Sequence, residues 1–317
     1  MFSTNKERLD STLKAFAPIM VLVVLLAVLG WIQPSFLSFY SLRVLVGESS
    51  VLLFLATGQT IVILFGGIDL SIAALASLAS VLIALSVHTA GAPGLIGVLV
   101  LTTGIGAAQG YIHARAQVPS FVVTLAGLGL WSGTALVIAP ATIPVLAGYP
   151  VVGWLNSRVF GVSTSFAFAV AALVSIMVML RWLPFGRYVY AIGKGERAAL
   201  VSGIPVVRVK MLAFALSGLF AGFAGMEMVA RTHSGHPTIA DALLLPCIAA
   251  VVVGGTAITG GSGGLGRTLV GVLIIAVLRV GIAVVGLDPG YEPLAYGIVV
   301  IGAVALTIDR SKITIVK

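Results

Sequence analysis

The chain has 317 residues, 59% hydrophobic and only 9% charged, with a mean hydropathy of +1.17 and a net charge of +8. Soluble domains carry about 25% charged residues, so this chain cannot cover a water-facing surface, and its solvent is the membrane. The cations fall in loops rather than on one soluble face, which argues against nucleic acid, and a single Cys247 in an apolar run excludes a disulfide framework or a multi-cysteine metal site.

A spanning helix needs about 20 mostly apolar residues. The first such run is 15–32, ended by Gln33-Pro34. It is too long for a signal peptide, and no small-residue cleavage site follows it. The next runs are 44–65, which closes on Gly66-Gly67, then 69–87, 94–112 and 121–138. A polar, Pro-containing connection covers 139–163. The sixth run is 165–180. After a basic segment at 181–210 come 211–230, 243–253, 265–285 and 294–308. This predicts an all-α polytopic bundle of ten spans in one domain, 1–317. Its two groups of spans, 15–180 and 211–308, flank a basic segment. The glycine-rich second–third and eighth–ninth boundaries read as loops or as broken helices.

Short-loop Lys and Arg set orientation. With the N-terminus in the cytosol, 14 of the 18 basic residues fall on the cytosolic side. Only Arg43, Arg158 and Arg231 fall outside, and Arg279 lies within a span. This places both termini and the basic segment in the cytosol. Ten spans also divide into two sets of five with inverted topology, a common transporter architecture.

The basic segment is where the chain leaves the membrane. Within it, Gly195, Glu196, Arg197, Ala198, Ala199, Leu200, Val201, Ser202, Gly203 and Ile204 read as one short helix, with Gly203 at its C-terminal cap and Pro205 beyond. Such a helix is too short to be stable alone in water and needs a surface. It reads either as a loop helix lying on the membrane or as a docking helix for a cytosolic partner, with Ala198-Ala199 as its flat exposed contact.

Asp69 is an acid inside an apolar region, by default a functional candidate. It is also a good helix cap after the Gly66-Gly67 turn, with Ser71 sharing the free amides. Gly254, Gly255, Thr256 and Thr259 belong to a glycine-rich stretch that lacks the Gly-Lys-Ser/Thr of a phosphate loop. It reads as a close-packed or irregular membrane segment, and hence as a candidate pathway wall. Glu227 has Arg231 four residues on, at helical pairing distance, and Arg279 as a second candidate partner. His233, His236 and Asp241 read as a solvated loop rather than a metal site. Trp31 and Trp182 fall at span ends, as interfacial anchors do, and Trp131 falls inside a span.

Three ordered stretches carry a resemblance. They are Gly66-Gly67-Ile68-Asp69-Leu70-Ser71, then Pro184-Phe185-Gly186-Arg187 through Ser202-Gly203-Ile204, and last Ile248 through Gly261. Together the chain resembles the permease subunit of ribose-type bacterial ABC sugar importers over nearly its whole length. The chain departs from the pattern at Ala73, at Lys194-Gly195 and at Leu244-Leu245-Pro246. The resemblance implies a transport subunit of the bacterial inner membrane, not an enzyme. It implies no cofactor in this chain, with Mg-ATP bound by a separate cytosolic ATPase. A substrate-binding protein outside, a second permease copy or homologue and membrane lipid complete the implied partners. Gly195, Glu196, Arg197, Ala198, Ala199, Leu200, Ser202, Gly203 and Ile204 become the ATPase-coupling residues, and Gly66, Gly67, Asp69, Ser71, Gly254, Gly255, Thr256 and Thr259 become pathway candidates. Nucleoside and branched-chain amino-acid permeases share this layout. Asp69-Leu70, where the amino-acid branch usually shows Asn-Leu, argues against the latter. An ion-coupled secondary transporter is the reading from another class, with Asp69, Glu227 and Arg279 as its possible charge relay.

Overall fold

In a computed structural model that describes residues 3–145 and 149–307, the chain is helical nearly throughout. The helices in order are α1 (Ser3–Ile32), α2 (Phe39–Glu48), α3 (Ser50–Leu64), α4 (Ile72–Arg115), α5 (Ser120–Ile138) and the single turn α6 (Pro150–Gly153). They continue with α7 (Thr164–Trp182), α8 (Pro184–Lys194), α9 (Glu196–Val201), α10 (Val206–Thr232), α11 (Leu244–Val253), α12 (Leu265–Val284) and α13 (Glu292–Thr307). Among the described residues each of the ten apolar runs lies mainly on helix, because only a helix satisfies its own backbone within lipid. Two boundaries differ from a simple loop-and-helix reading. The second run is two helices, α2 and α3, bent by 45°. The third and fourth runs form one long helix, α4, broken where Gly91 takes φ 56°, ψ −132° two residues before Pro93. Arg310, Lys312 and Lys317, assigned to the cytosol by charge, lie outside the described residues.

The bundle is built around α3, in which every residue from Ser50 to Leu64 is buried. A helix apolar on all faces belongs in a core. Its hydroxyls avoid unmet hydrogen bonds by donating back along the helix, Thr57 to the Leu53 carbonyl at 2.7 Å and Thr60 to Ala56 at 2.6 Å. Against α3 lies the pair α4–α10, packed backbone to backbone through small residues. A Cβ on Gly106 would collide with the Phe214 carbonyl, and one on Gly218 with the Thr102 carbonyl. By contrast α5 buries the smallest share of its surface among the five long apolar helices.

The two ends of α10 mark the two ends of the molecule, roughly 40 Å apart for 27 residues. At its C-terminal end, the connection after α5 folds back onto it. The Val145 amide donates to the His233 carbonyl at 2.8 Å, and Tyr149 stacks on His233 with ring centroids 4.3 Å apart. Asn156 and Tyr149 both donate to the Ala230 carbonyl. Burial holds the Tyr149 phenol above its usual pKa. At the N-terminal end of α10 lie α8, α9 and the glycine-rich turn between α11 and α12.

Candidate functional site

The basic segment folds into two helices, where the sequence suggested one. Pro184 opens α8 at a position where its missing amide costs nothing. Val189 and Ile192 turn inward, and Gly193 lies so close to the Leu64 carbonyl and to Gly261 that any side chain there would clash. Gly195 then breaks the path, and α9 begins at Glu196. It ends as the sequence predicts. Gly203 takes φ +80°, its amide donates to Leu200 O at 3.0 Å, and the Ile204 amide donates to Ala199 O at 3.1 Å. These are the two bonds of a Schellman cap.

One part of the predicted docking surface is corrected. Ala198 is exposed, but Ala199 is only 4% exposed and packs into the main core. The side of α9 that carries Ala199 faces the bundle, so the Ala-Ala pair does not form one flat outer contact. The outward face is Arg197, Ala198, Leu200 and Val201, with Leu200 63% and Val201 89% exposed. Val201 was not singled out by sequence reasoning, although its spacing from Arg197 and Ala198 puts it on their side. Glu196 is tied to the bundle through Oε1, which accepts a hydrogen bond from Lys210 Nζ at 2.8 Å.

The three motif stretches meet at this end. The Gly261 amide donates to the Leu64 carbonyl at 2.8 Å, and Gly66 sits against the Thr259 carbonyl and Gly260. Gly66 and Gly260 both have positive φ, +90° and +84°, which lets the two turns nest. Gly254 lies against the Arg267 backbone, and Gly255 turns with φ +92°. The Thr256 hydroxyl accepts from the Gly264 amide at 3.2 Å. The glycine-rich stretch is therefore an ordered turn between α11 and α12, wedged against the ends of α3 and α8.

The eight pathway candidates divide between two settings. Gly66 and Thr259 lie exposed on the surface beside α8, whereas Gly67, Asp69, Ser71, Gly254 and Thr256 are buried and Gly255 is half-buried. Asp69 Oδ1 accepts from the Ser71 amide at 2.9 Å and the Ser71 hydroxyl at 2.7 Å. Ser71 is the cap position of α4. Asp69 Oδ2 accepts from Ser217 of α10 at 2.7 Å, and the Gln59 amide of α3, oriented to suit both partners, pairs with the Asp69 backbone. Gln109 completes the group by donating to Ser71 Oγ at 3.0 Å. Asp69 is thus not itself the cap residue: it stands two positions before Ser71, its carboxylate closes a turn onto Ser71 and links α4 to α10, and its backbone holds Gln59 of α3.

The other ionisable residues have separate partners. Glu227, fully buried, accepts from Ser50 and lies 3.9 Å from Arg231, which also pairs with Glu48. Arg279 instead meets Glu292 at 3.6 Å. Ser217 and Glu227 are ten residues apart on α10, about 15 Å, so Asp69, Glu227 and Arg279 do not form a relay. Ser77 donates to Asp241 at 2.9 Å, and His236 accepts from the Thr238 amide at 3.2 Å. Cys247 is buried in α11. Trp31 and Trp182 lie exposed at the ends of α1 and α7, and Trp131 is half-buried.

Comparison with known proteins gives the same reading. Residues 42–308 match the protein family described as branched-chain amino acid transport system / permease component. The chain is similar to the ribose import permease protein RbsC of Bacillus subtilis, 34% identical over 322 residues, covering 98% of this chain and 97% of that protein. It is 33% identical to the ribose import permease protein RbsC of Escherichia coli K12, over 93% of each. The fructose import permease protein FrcC of Rhizobium meliloti is 32% identical over 92% of this chain and 84% of its own length. No solved structure matches the chain.

Proposed function

The chain belongs to the branched-chain amino acid transport system / permease component family, and from that premise we propose that it imports a monosaccharide or related polyol as the membrane subunit of an ATP-driven transporter. The relatives that cover almost its whole length are named for ribose and fructose import, which supports a sugar over an amino acid or nucleoside. A separate ATPase binds Mg-ATP and docks on α9, a binding protein delivers the sugar at the opposite end, and a second permease copy completes the pathway. The least buried long helix, α5, faces lipid or that second copy.

The observation that carries the reading is Leu200 and Val201 standing exposed on α9. They lie beyond the spans, on a helix anchored from behind by Ala199 and Glu196. Apolar side chains presented to water on a rigid projection fit a protein partner. The ten apolar runs, with α4 counted as two crossings and α2–α3 as one, support ten crossings with both termini in the cytosol. They divide at 139–163 into two sets of five of opposite orientation. The pathway candidates then sit on the elements that α9 moves: the Gly66–Ser71 turn on one side and the 254–264 turn on the other.

The test is co-reconstitution with the ATPase subunit and the binding protein, followed by uptake of labelled ribose, fructose and a branched-chain amino acid. Sugar uptake that needs ATP is expected. Uptake driven by an ion gradient without ATP, or of the amino acid alone, overturns the reading.

A further inference from the structure

A cavity of about 530 Å³ opens between α1, α7 and α12 at the end of the bundle that carries α8 and α9. Its wall is mainly apolar, with Pro18 from α1, Met177 and Leu180 from α7, and Val270 from α12, and Tyr190 of α8 closes one side with its hydroxyl donating to the Gly263 carbonyl at 3.1 Å. Two guanidinium groups also line it, Arg181 in the last turn of α7 and Arg267 in the first turn of α12. No acidic residue lines the cavity. Among the described residues neither arginine makes an ion pair. Arg267 spends one donor on the Gly255 carbonyl at 3.4 Å, and its other donors are uncommitted. The volume is in the range of small-molecule sites, about 300–1,000 Å³.

We propose that this cavity holds an anionic phospholipid, with its phosphate between Arg181 and Arg267 and an acyl chain along Pro18, Met177, Leu180 and Val270. The two halves of the site demand two chemistries joined in one ligand. Two guanidinium groups lining one cavity favour a phosphate, to which Arg binds with directed, charge-assisted hydrogen bonds. The hydrocarbon and thioether groups of Pro18, Met177, Leu180 and Val270 offer a free phosphate nothing, whereas an acyl chain packs against them. With no carboxylate among the lining residues, a zwitterionic headgroup gains no partner for its ammonium, and net negative charge is favoured. Basic pockets between spanning helices at the membrane surface are where anionic headgroups settle. The site lies behind the 254–264 turn, because Arg267 holds Gly255 while facing the cavity. A bound lipid therefore bears on the segment that joins α11 to α12.

The test uses the purified full chain in detergent, offered equal amounts of phosphatidylglycerol and phosphatidylcholine of the same chain length, with retained lipid counted by native mass spectrometry. We expect one phosphatidylglycerol held in preference to phosphatidylcholine. Arg181→Gln and Arg267→Gln should each weaken that preference by roughly fivefold, and the double variant should erase it. Arg208→Gln, an exposed cation of the same end outside the cavity, should change nothing. Val270→Trp keeps both charges and fills the acyl groove, and it should also release the lipid, which covers the case in which the double variant folds poorly. Inorganic phosphate should not displace the lipid. Equal retention of the two lipids by the wild-type chain, an unchanged double variant, or displacement by inorganic phosphate alone would each overturn the proposal.

Discussion

Lys210 and Glu196 form an ion pair of 2.8 Å that joins α9 to the first turn of α10. The sequence places Lys210 among the solvated cations of the basic segment, yet its side chain is only 6% exposed, while that of Glu196 is 55% exposed. The Lys210 ammonium lies 5.8 Å from the Phe65 ring, immediately before the Gly66-Gly67 turn. The pair thus connects the proposed docking helix to α10 and to the turn that positions Asp69. Removing one partner of a buried pair strands the other charge; here Glu196, 55% exposed, stays solvated without Lys210, whereas Lys210, 6% exposed, loses its counter-ion without Glu196. Lys210→Met should therefore fold, insert and retain the ATPase, but hydrolyse ATP without matching uptake. Glu196→Gln should lower stability by about 1–3 kcal/mol. ATPase and uptake rates measured on the same vesicles check this; coupling at the wild-type ratio in Lys210→Met would remove the pair from the mechanism.

The docking face and its buried neighbour should separate cleanly. Leu200→Asp, Val201→Asp and Ala198→Trp change only outward positions, so membrane levels should hold while co-purification of the ATPase and uptake fall together. Ala199→Trp overfills a packed site and should cost about 1–3 kcal/mol or more, seen as reduced expression or thermal stability. Pull-down from detergent extracts with gel filtration of the permease distinguishes the two outcomes.

Asp69 tests capping against charge. In Asp69→Asn the carbonyl oxygen still receives the Ser71 amide and the amide group reaches the Ser217 hydroxyl, so stability should stay near wild type. Asp69→Ala leaves the Ser71 amide and the Ser217 hydroxyl without their acceptor and should cost about 1–3 kcal/mol. Transport should follow stability. A stable, assembled Asp69→Asn chain without uptake would show that the carboxylate acts in the pathway itself.

The all-helical membrane bundle was legible because long apolar runs dominate the chain, and the end of α9 because Gly203 and Pro205 punctuate it. The break in α4 is marked by Gly91 and Pro93, between the third and fourth runs, whereas the bend at Ser49 leaves no such mark, since bent and straight helices share one composition. In the basic segment α8 was missed: its inward residues, Val189 and Ile192, are three apart among tyrosines and cations and read as loop. The burial of Ala199 and Lys210 depends on which side of α9 meets the bundle, and that is decided by distant partners, Phe65 and the main core, rather than by neighbours in sequence. The nesting of Gly66 with Gly260 is of the same kind. Each glycine signals a turn, but only the fold brings the two turns together.

The topology yields the last prediction. Asn156 and His233 gather at the Ala230 end of α10, and Lys194 lies at the other end, beside Gly261. The charge bias places the Lys194 end in the cytosol. Single cysteines at 156, 233 and 194 in a Cys247→Ser background should therefore label oppositely in intact cells. Cys247 is buried, so its replacement by a residue one atom different leaves the surface unchanged. Positions 156 and 233 should react with an impermeant maleimide from outside, and 194 only after the membrane is opened. Because 156 and 233 share one end through Tyr149 and Ala230, they must behave alike. Labelling at 194 but not at 156 in intact cells would invert the orientation and move the proposed ATPase surface to the wrong side of the membrane. Opposite behaviour of 156 and 233 would break the packing of the 139–163 connection onto α10.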